Sequence, residues 1–128
     1  VTGAAASPGF FPGRAPIEAY GNGGFRFAGM GHRGSILCLP SGIRAWEPAT
    51  PGVLSEGDFV AAIAEAGGIE VLLIGTGERP MPLAPELREM FRRHAIVADA
   101  MTTGAAARTY NVLLGEGRAV AAAMVAVP

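Results

Sequence analysis

A chain of 128 residues, half of them apolar and 16% charged, is long enough to bury one core and too apolar for charge-driven disorder. No stretch approaches the roughly 18 consecutive apolar residues of a membrane span, which argues against membrane insertion. The net charge is −1 and all ten cations are arginine, spread from Arg14 to Arg118 instead of forming a stripe, which argues against nucleic acid as a partner.

Residues 1–16 carry Pro8, Pro12 and Pro16 with glycines between them, a composition that removes backbone donors and predicts a mobile arm ahead of a single domain over 17–128. The same stretch lacks the basic and apolar regions of a signal peptide, and a cytoplasmic location is expected. Between Ile17 and Pro48, short runs rich in Phe, Ile, Tyr and Trp alternate with GNGG, GHRG and SG, a pattern that predicts a meander of about four short strands. Phe25 and Phe27 point to one face and Arg26 to the other. Cys38 stands alone inside SILCLP, which fits a buried thiol in a reducing compartment.

From Leu54 the rhythm becomes helical. Ser55 and Asp58 form a capping box, Leu54 staples against Phe59, and Gly67-Gly68 supplies a left-handed end. Residues 69–75, IEVLLIG, form a strand. Pro85 then opens a helix with Leu87, Met90, Phe91 and His94 inside and a solvated outer face that includes a Glu89–Arg93 pair. Ile96 to Ala100 is a short strand, and Thr102 or Thr103 caps a helix that carries Ala106, Tyr110, Leu113 and Leu114 and stops at Gly115 and Gly117. AVAAAMVAV, apolar on both faces, predicts a central strand. A meander followed by α-β-α-β-α-β implies an α+β domain with a mixed sheet and some parallel pairing.

Two segments have the look of a binding site. LLIGTGERP places Gly75-Thr76-Gly77 directly after a strand, where a phosphate loop would begin, but no third glycine follows and Pro80 and Pro82 interrupt the helix that would face phosphate. If the strands before them are parallel neighbours, these glycines lie beside Asp99, Met101 and Thr102-Thr103-Gly104 at a helix N-terminus. That is a polar pocket for a small anion, with Arg79 or Arg108 as counter-charge and Tyr110 further along the helix. The same Asp99 and threonines also serve as ordinary helix caps, which need no ligand and are the commoner arrangement. No catalytic set, cofactor motif or metal-ligand spacing is legible: His32, His94 and Cys38 are irregularly spaced, and Tyr110 reads as a packed core aromatic. Trp46 is either a core residue or an anchor for a partner, alongside Phe10 and Phe11.

Taken in order, PIEAYGNGGFRFAG, IRAWEP, IEVLLIGTGERPMPL and DAMTTGAAARTYNVLLGEGRAVAAA resemble the Mth938-domain family over about residues 16–127. Members include mitochondrial respiratory complex I assembly factor 3 and the adipogenesis-associated Mth938 domain-containing protein. The shared blocks fall on Gly75, Thr76, Gly77, Pro80, Asp99, Met101, Thr103, Ala106, Tyr110, Asn111, Leu113, Glu116, Gly117 and Arg118. The resemblance implies β/β/α layers with a mixed sheet, no established enzymatic activity and, for the mitochondrial member, help in assembling a membrane-associated complex; with the missing acid/base or metal set it leads to the expectation of a non-catalytic accessory domain that binds another protein and needs no cofactor. The rival expectation is a small-molecule binder or enzyme built on the Gly75–Gly77 and Thr102–Gly104 loops.

Overall fold

The computed structural model describes residues 10–49 and 54–128. Its strands and helices, in chain order, are β1 (Phe11–Pro12), β2 (Ile17–Gly21), β3 (Gly24–Phe27), β4 (Met30–Arg33), β5 (Ile36–Leu39), β6 (Gly42–Ala45), α1 (Val60–Ala64), β7 (Val71–Gly75), α2 (Pro85–Arg93), β8 (Val97–Met101), α3 (Thr103–Gly115) and β9 (Val120–Met124).

The expected meander divides between two sheets. β2, β3 and β4 form a three-stranded antiparallel sheet, whereas β5 and β6 join a six-stranded sheet in the order β1-β6-β5-β9-β7-β8. Both hairpins of the small sheet close on two-residue turns with positive φ at each centre. Asn22 and Gly23 sit at +52° and +81°, Ala28 and Gly29 at +51° and +74°, values that match the right-handed twist of the flanking strands. Beyond Gly34 the chain crosses to the larger sheet, anchored by buried Ser35, whose hydroxyl accepts the Ala126 amide at 2.9 Å.

The larger sheet is mixed. β7 pairs parallel with both β8 and β9, while β9 meets β5 antiparallel. β9 is central and fully buried, as its two apolar faces require. Alternate residues of each strand enter two cores. Leu37, Leu39, Leu72, Ile74, Ala121 and Ala123 pack with Trp46, Phe59 and the inner face of α2. On the opposite face Ile36, Cys38, Leu73, Val120, Ala122 and Met124 pack with Ala106, Ala107 and Tyr110 of α3 and with Phe25 and Phe27 of the small sheet. The result is an α+β domain in β/β/α layers, with α3 lying alongside the small sheet.

Several expectations are revised. Residues 10–16, placed in a mobile arm, are docked: Phe11 and Pro12 pair with Ile43 and Gly42, Ala15 is buried, and Phe11 meets Phe27 edge-on at 6.2 Å. Pro12 is accommodated because β1 is an edge strand, where a missing N–H costs no ladder bond. Residues 1–9 of that expected arm lie outside the described residues. The helix expected after Ser55 is broken into a 3₁₀ turn at Glu56–Phe59, α1, and a second 3₁₀ turn at Ala66–Gly68. Its end is not a left-handed glycine, since neither Gly67 nor Gly68 has positive φ. The Asp58 carboxylate does reach back to the Ser55 amide at 2.8 Å.

His94 is exposed at the C-cap of α2 instead of facing inward, and Glu89 pairs with Arg92 at 3.1 Å, not with Arg93. Trp46 is a core residue: it is 7% exposed, its Nε1 donates to the Asp58 carbonyl at 2.8 Å, and its ring lies 5.5 Å from that of Phe59. It therefore offers no surface anchor.

Candidate functional site

Parallel pairing of Gly75 with Met101 sets the two polar loops side by side. Gly75 is glycine because α3 starts against it; a Cβ there would lie 2.9 Å from Thr103 Cα and 3.1 Å from Met124 Cγ. Gly77, at φ +104°, turns the chain away from the strand.

The polar groups at this junction are bonded to one another. Thr103, fully buried, donates its hydroxyl to the Val125 carbonyl at 2.6 Å and accepts the Gly77 amide at 3.0 Å. Its own amide donates to the Gly77 carbonyl at 2.9 Å. The Thr76 amide donates to the Met101 carbonyl at 2.8 Å, and the Thr76 hydroxyl donates to the Arg79 carbonyl at 2.6 Å while accepting the Met81 amide at 3.0 Å. Thr102 is the helix cap, accepting the Ala105 amide at 3.2 Å. Four amides that a phosphate loop would present to its ligand, those of Thr76, Gly77, Thr103 and Ala105, are thus satisfied within the chain.

The remaining residues of the expected pocket are dispersed. Asp99 is exposed on β8 and lines a depression of about 260 Å³ with Arg88 and the Pro80–Leu83 segment. No hydrogen bond ties Asp99 to a helix amide among the described residues, so it is not a cap. Arg79 lies in a separate depression of about 270 Å³ beside Val125–Pro128. Arg108 reaches towards the Tyr20 hydroxyl at 3.4 Å, and Tyr20 lies so close over Gly104 that a side chain there would collide with its ring. Tyr110 is buried on the inner face of α3, against the Cys38 thiol. Burial pushes that thiol from 9.0 up to about 12, with the Tyr110 hydroxyl offsetting a smaller part. Burial likewise raises Tyr110, assisted by Cys38. Both stay protonated near neutrality, which suits packing and not nucleophilic chemistry.

One polar residue plays a part that its position in the sequence does not announce. Asn111, half-buried on α3, accepts the Ile17 amide and donates to the Ile17 carbonyl, each at 2.8 Å. Its side chain acts as a one-residue strand against Ile17 at the start of β2. The available signal is an asparagine inside a helix, where it is a weak former and competes for backbone bonds.

Among the described residues no group of three or more His, Cys, Asp and Glu side chains is placed to hold a metal ion, and no helix is long and apolar enough to cross a membrane.

A six-stranded mixed sheet with a three-stranded sheet and α3 on one face and two helices on the other defines a Mth938-like domain. A Bordetella pertussis protein described as a Mth938-like domain superposes with a TM-score of 0.77 at 28% identity, covering 88% of this chain and 85% of that one. Residues 17–125 match the family described as protein of unknown function (DUF498/DUF598), and the chain belongs to it. A Bartonella henselae structure described as an outer membrane protein superposes with a TM-score of 0.89 at 56% identity, over 92% of this chain and 99% of that one. An uncharacterised Rhodobacter capsulatus protein is 38% identical over 92% of this chain and 90% of its own length. The mouse NADH dehydrogenase [ubiquinone] 1 alpha subcomplex assembly factor 3 is 28% identical over 92% of this chain, and the match spans 64% of that relative.

Proposed function

We propose that this protein is a non-catalytic accessory factor that holds another protein during assembly of a membrane-associated complex, with respiratory complex I the most concrete case. The observation that carries this reading is the match, along 92% of the chain, to a relative named as a complex I assembly factor. The geometry of the two loops favours the same reading. Their hydroxyls and amides are hydrogen-bonded to the chain itself, and Asp99, Arg79 and Arg108 do not converge on one centre. The partner binds on the cytoplasmic side of the membrane, and its identity rests on the named relative, since a fold alone assigns none.

The test is genetic and biochemical. In cells lacking this protein, membranes resolved on native gels should contain less assembled complex I and more of its partial assemblies, with NADH:ubiquinone reductase activity lowered in proportion and restored by the intact chain. Normal amounts of the assembled complex in the deleted strain would remove the reading.

A further inference from the structure

The outer face of the small sheet carries positive charge beside an open strand edge. In the register of β3 and β4, Arg26 lies opposite Gly31 and Gly24 opposite Arg33, so two arginines stand diagonally on one face with glycines at the other corners. Both arginines are exposed, and they line a depression of about 410 Å³. Neither is paired with a carboxylate among the described residues, where the ion pairs are Arg92–Glu89 and Arg118–Glu70. Glu18 on the neighbouring strand accepts the Gly29 amide instead, at 3.2 Å and 3.3 Å.

The edge beside these charges is equally unmatched. A two-residue turn makes Phe27 and Met30 a hydrogen-bonded pair, and alternation along the ladder then turns the N–H and C=O of Gly31 and Arg33 away from β3. Among the described residues no backbone or side-chain group bonds to them. On the opposite edge of the same sheet Asn111 already occupies both backbone groups of Ile17, where α3 packs against β2. At Gly31 no side chain shields the backbone, and the Arg26 guanidinium stands near the space a Cβ would fill, 3.6 Å away.

We infer that β4 receives an extended acidic segment of a partner protein, which adds a fourth strand to the small sheet and sets its carboxylates against Arg26 and Arg33. The chemistry selects this occupant. An edge that presents both donors and acceptors is fully matched by another strand, whereas phosphate or a lipid headgroup can use only the donors. Two guanidiniums without carboxylate partners on the flank then favour carboxylate over neutral side chains. This inference rests on the reading of the protein as one that holds a partner, and it names where and by what chemistry.

The probe is a synthetic peptide of alternating glutamate and valine, compared with its glutamine counterpart. Binding of the glutamate peptide should weaken at least about tenfold for Arg26→Glu/Arg33→Glu, and by a similar factor for the glutamine peptide on the intact chain. Gly31→Pro removes one edge donor at a position where an edge strand tolerates proline, and should weaken binding while the fold, followed by circular dichroism, is kept. Amide exchange at Gly31 and Arg33, rapid in the free chain, should slow when the peptide is bound. No binding at millimolar peptide, binding indifferent to the arginines, or binding without slowed exchange at those amides would overturn the inference. So would arginine-dependent binding to phosphatidylglycerol vesicles but not to the peptide, which would make the face a membrane contact. If Arg26→Glu/Arg33→Glu restores complex I in the deleted strain, the docking site falls and the accessory role stands.

Discussion

Asn111 and Ile17 are joined by two hydrogen bonds of 2.8 Å that run in opposite directions, side-chain oxygen to backbone amide and side-chain amide to backbone carbonyl. Across 94 residues of sequence, α3 is thereby stitched to the first strand of the small sheet. Replacement by leucine keeps the volume but leaves both Ile17 groups half-buried and unpaired, and should cost about 2–4 kcal/mol. Urea denaturation measures this. Aspartate, which restores only the acceptor, should remain clearly below the wild type, and a leucine variant as stable as the parent would show that water replaces the amide at that edge.

Gly75 and Gly67 separate two uses of glycine. Alanine at 75 must displace the Thr103 backbone and should lose about 1–3 kcal/mol. Alanine at 67 meets open space and ordinary φ, and should be neutral or slightly stabilising. Melting temperatures of the two variants decide it.

Ala95 holds φ +59° one residue beyond the C-cap of α2, its amide donating to the Arg92 carbonyl at 3.1 Å while the Ile96 amide donates to the Phe91 carbonyl at 2.9 Å. This is a helix stop of the kind glycine usually makes. Ala95→Gly relieves the left-handed strain against glycine's extra unfolded freedom, for a net gain of about 0.5–1 kcal/mol. A rise in melting temperature of roughly 2–4 °C is expected, and a fall would show that the position is not strained.

Cys38 gives a pH dependence with a definite sign. Well below pH 9 the folded and unfolded chains both hold the thiol proton, and this group adds almost nothing to the slope. Between 9.0 and about 12 the unfolded chain releases it and the native chain retains it, so stability falls as pH rises. Cys38→Ala should make the fall shallower, leaving the part that Tyr110 contributes. At about pH 8 a thiol reagent should react with the unfolded protein and not with the native one; rapid native labelling would contradict the burial.

Much of the architecture is legible because the local signals agree with it. Asn22-Gly23, Pro85 and the Thr102 cap before α3 each impose a conformation that their neighbours share. The errors fall where tertiary contacts decide. Phe11 joins the sheet because Phe27 and Ile43 receive it, which no proline-rich stretch announces. Ala28 takes a left-handed turn against its own preference because the register of Phe27 and Met30 leaves only two residues to reverse the chain. His94 continues the apolar spacing of α2, yet the helix ends before it can turn inward. For the candidate site, adjacency of Gly75–Gly77 and Thr102–Gly104 follows from parallel pairing and can be deduced; that Thr103 and Thr76 satisfy the loops' own amides depends on Val125 and Arg79, positions that no spacing rule links to them.

Among the described residues β9 alone joins the antiparallel hairpin of β5 and β6 to the parallel pair of β7 and β8. Until residue 124 has cleared the ribosome, the edges of β5 and β7 that pair with β9 hold unmatched backbone donors and acceptors. The central layer of the larger sheet therefore closes only after β9 has been synthesised, because β5 and β7 each take β9 as a neighbour.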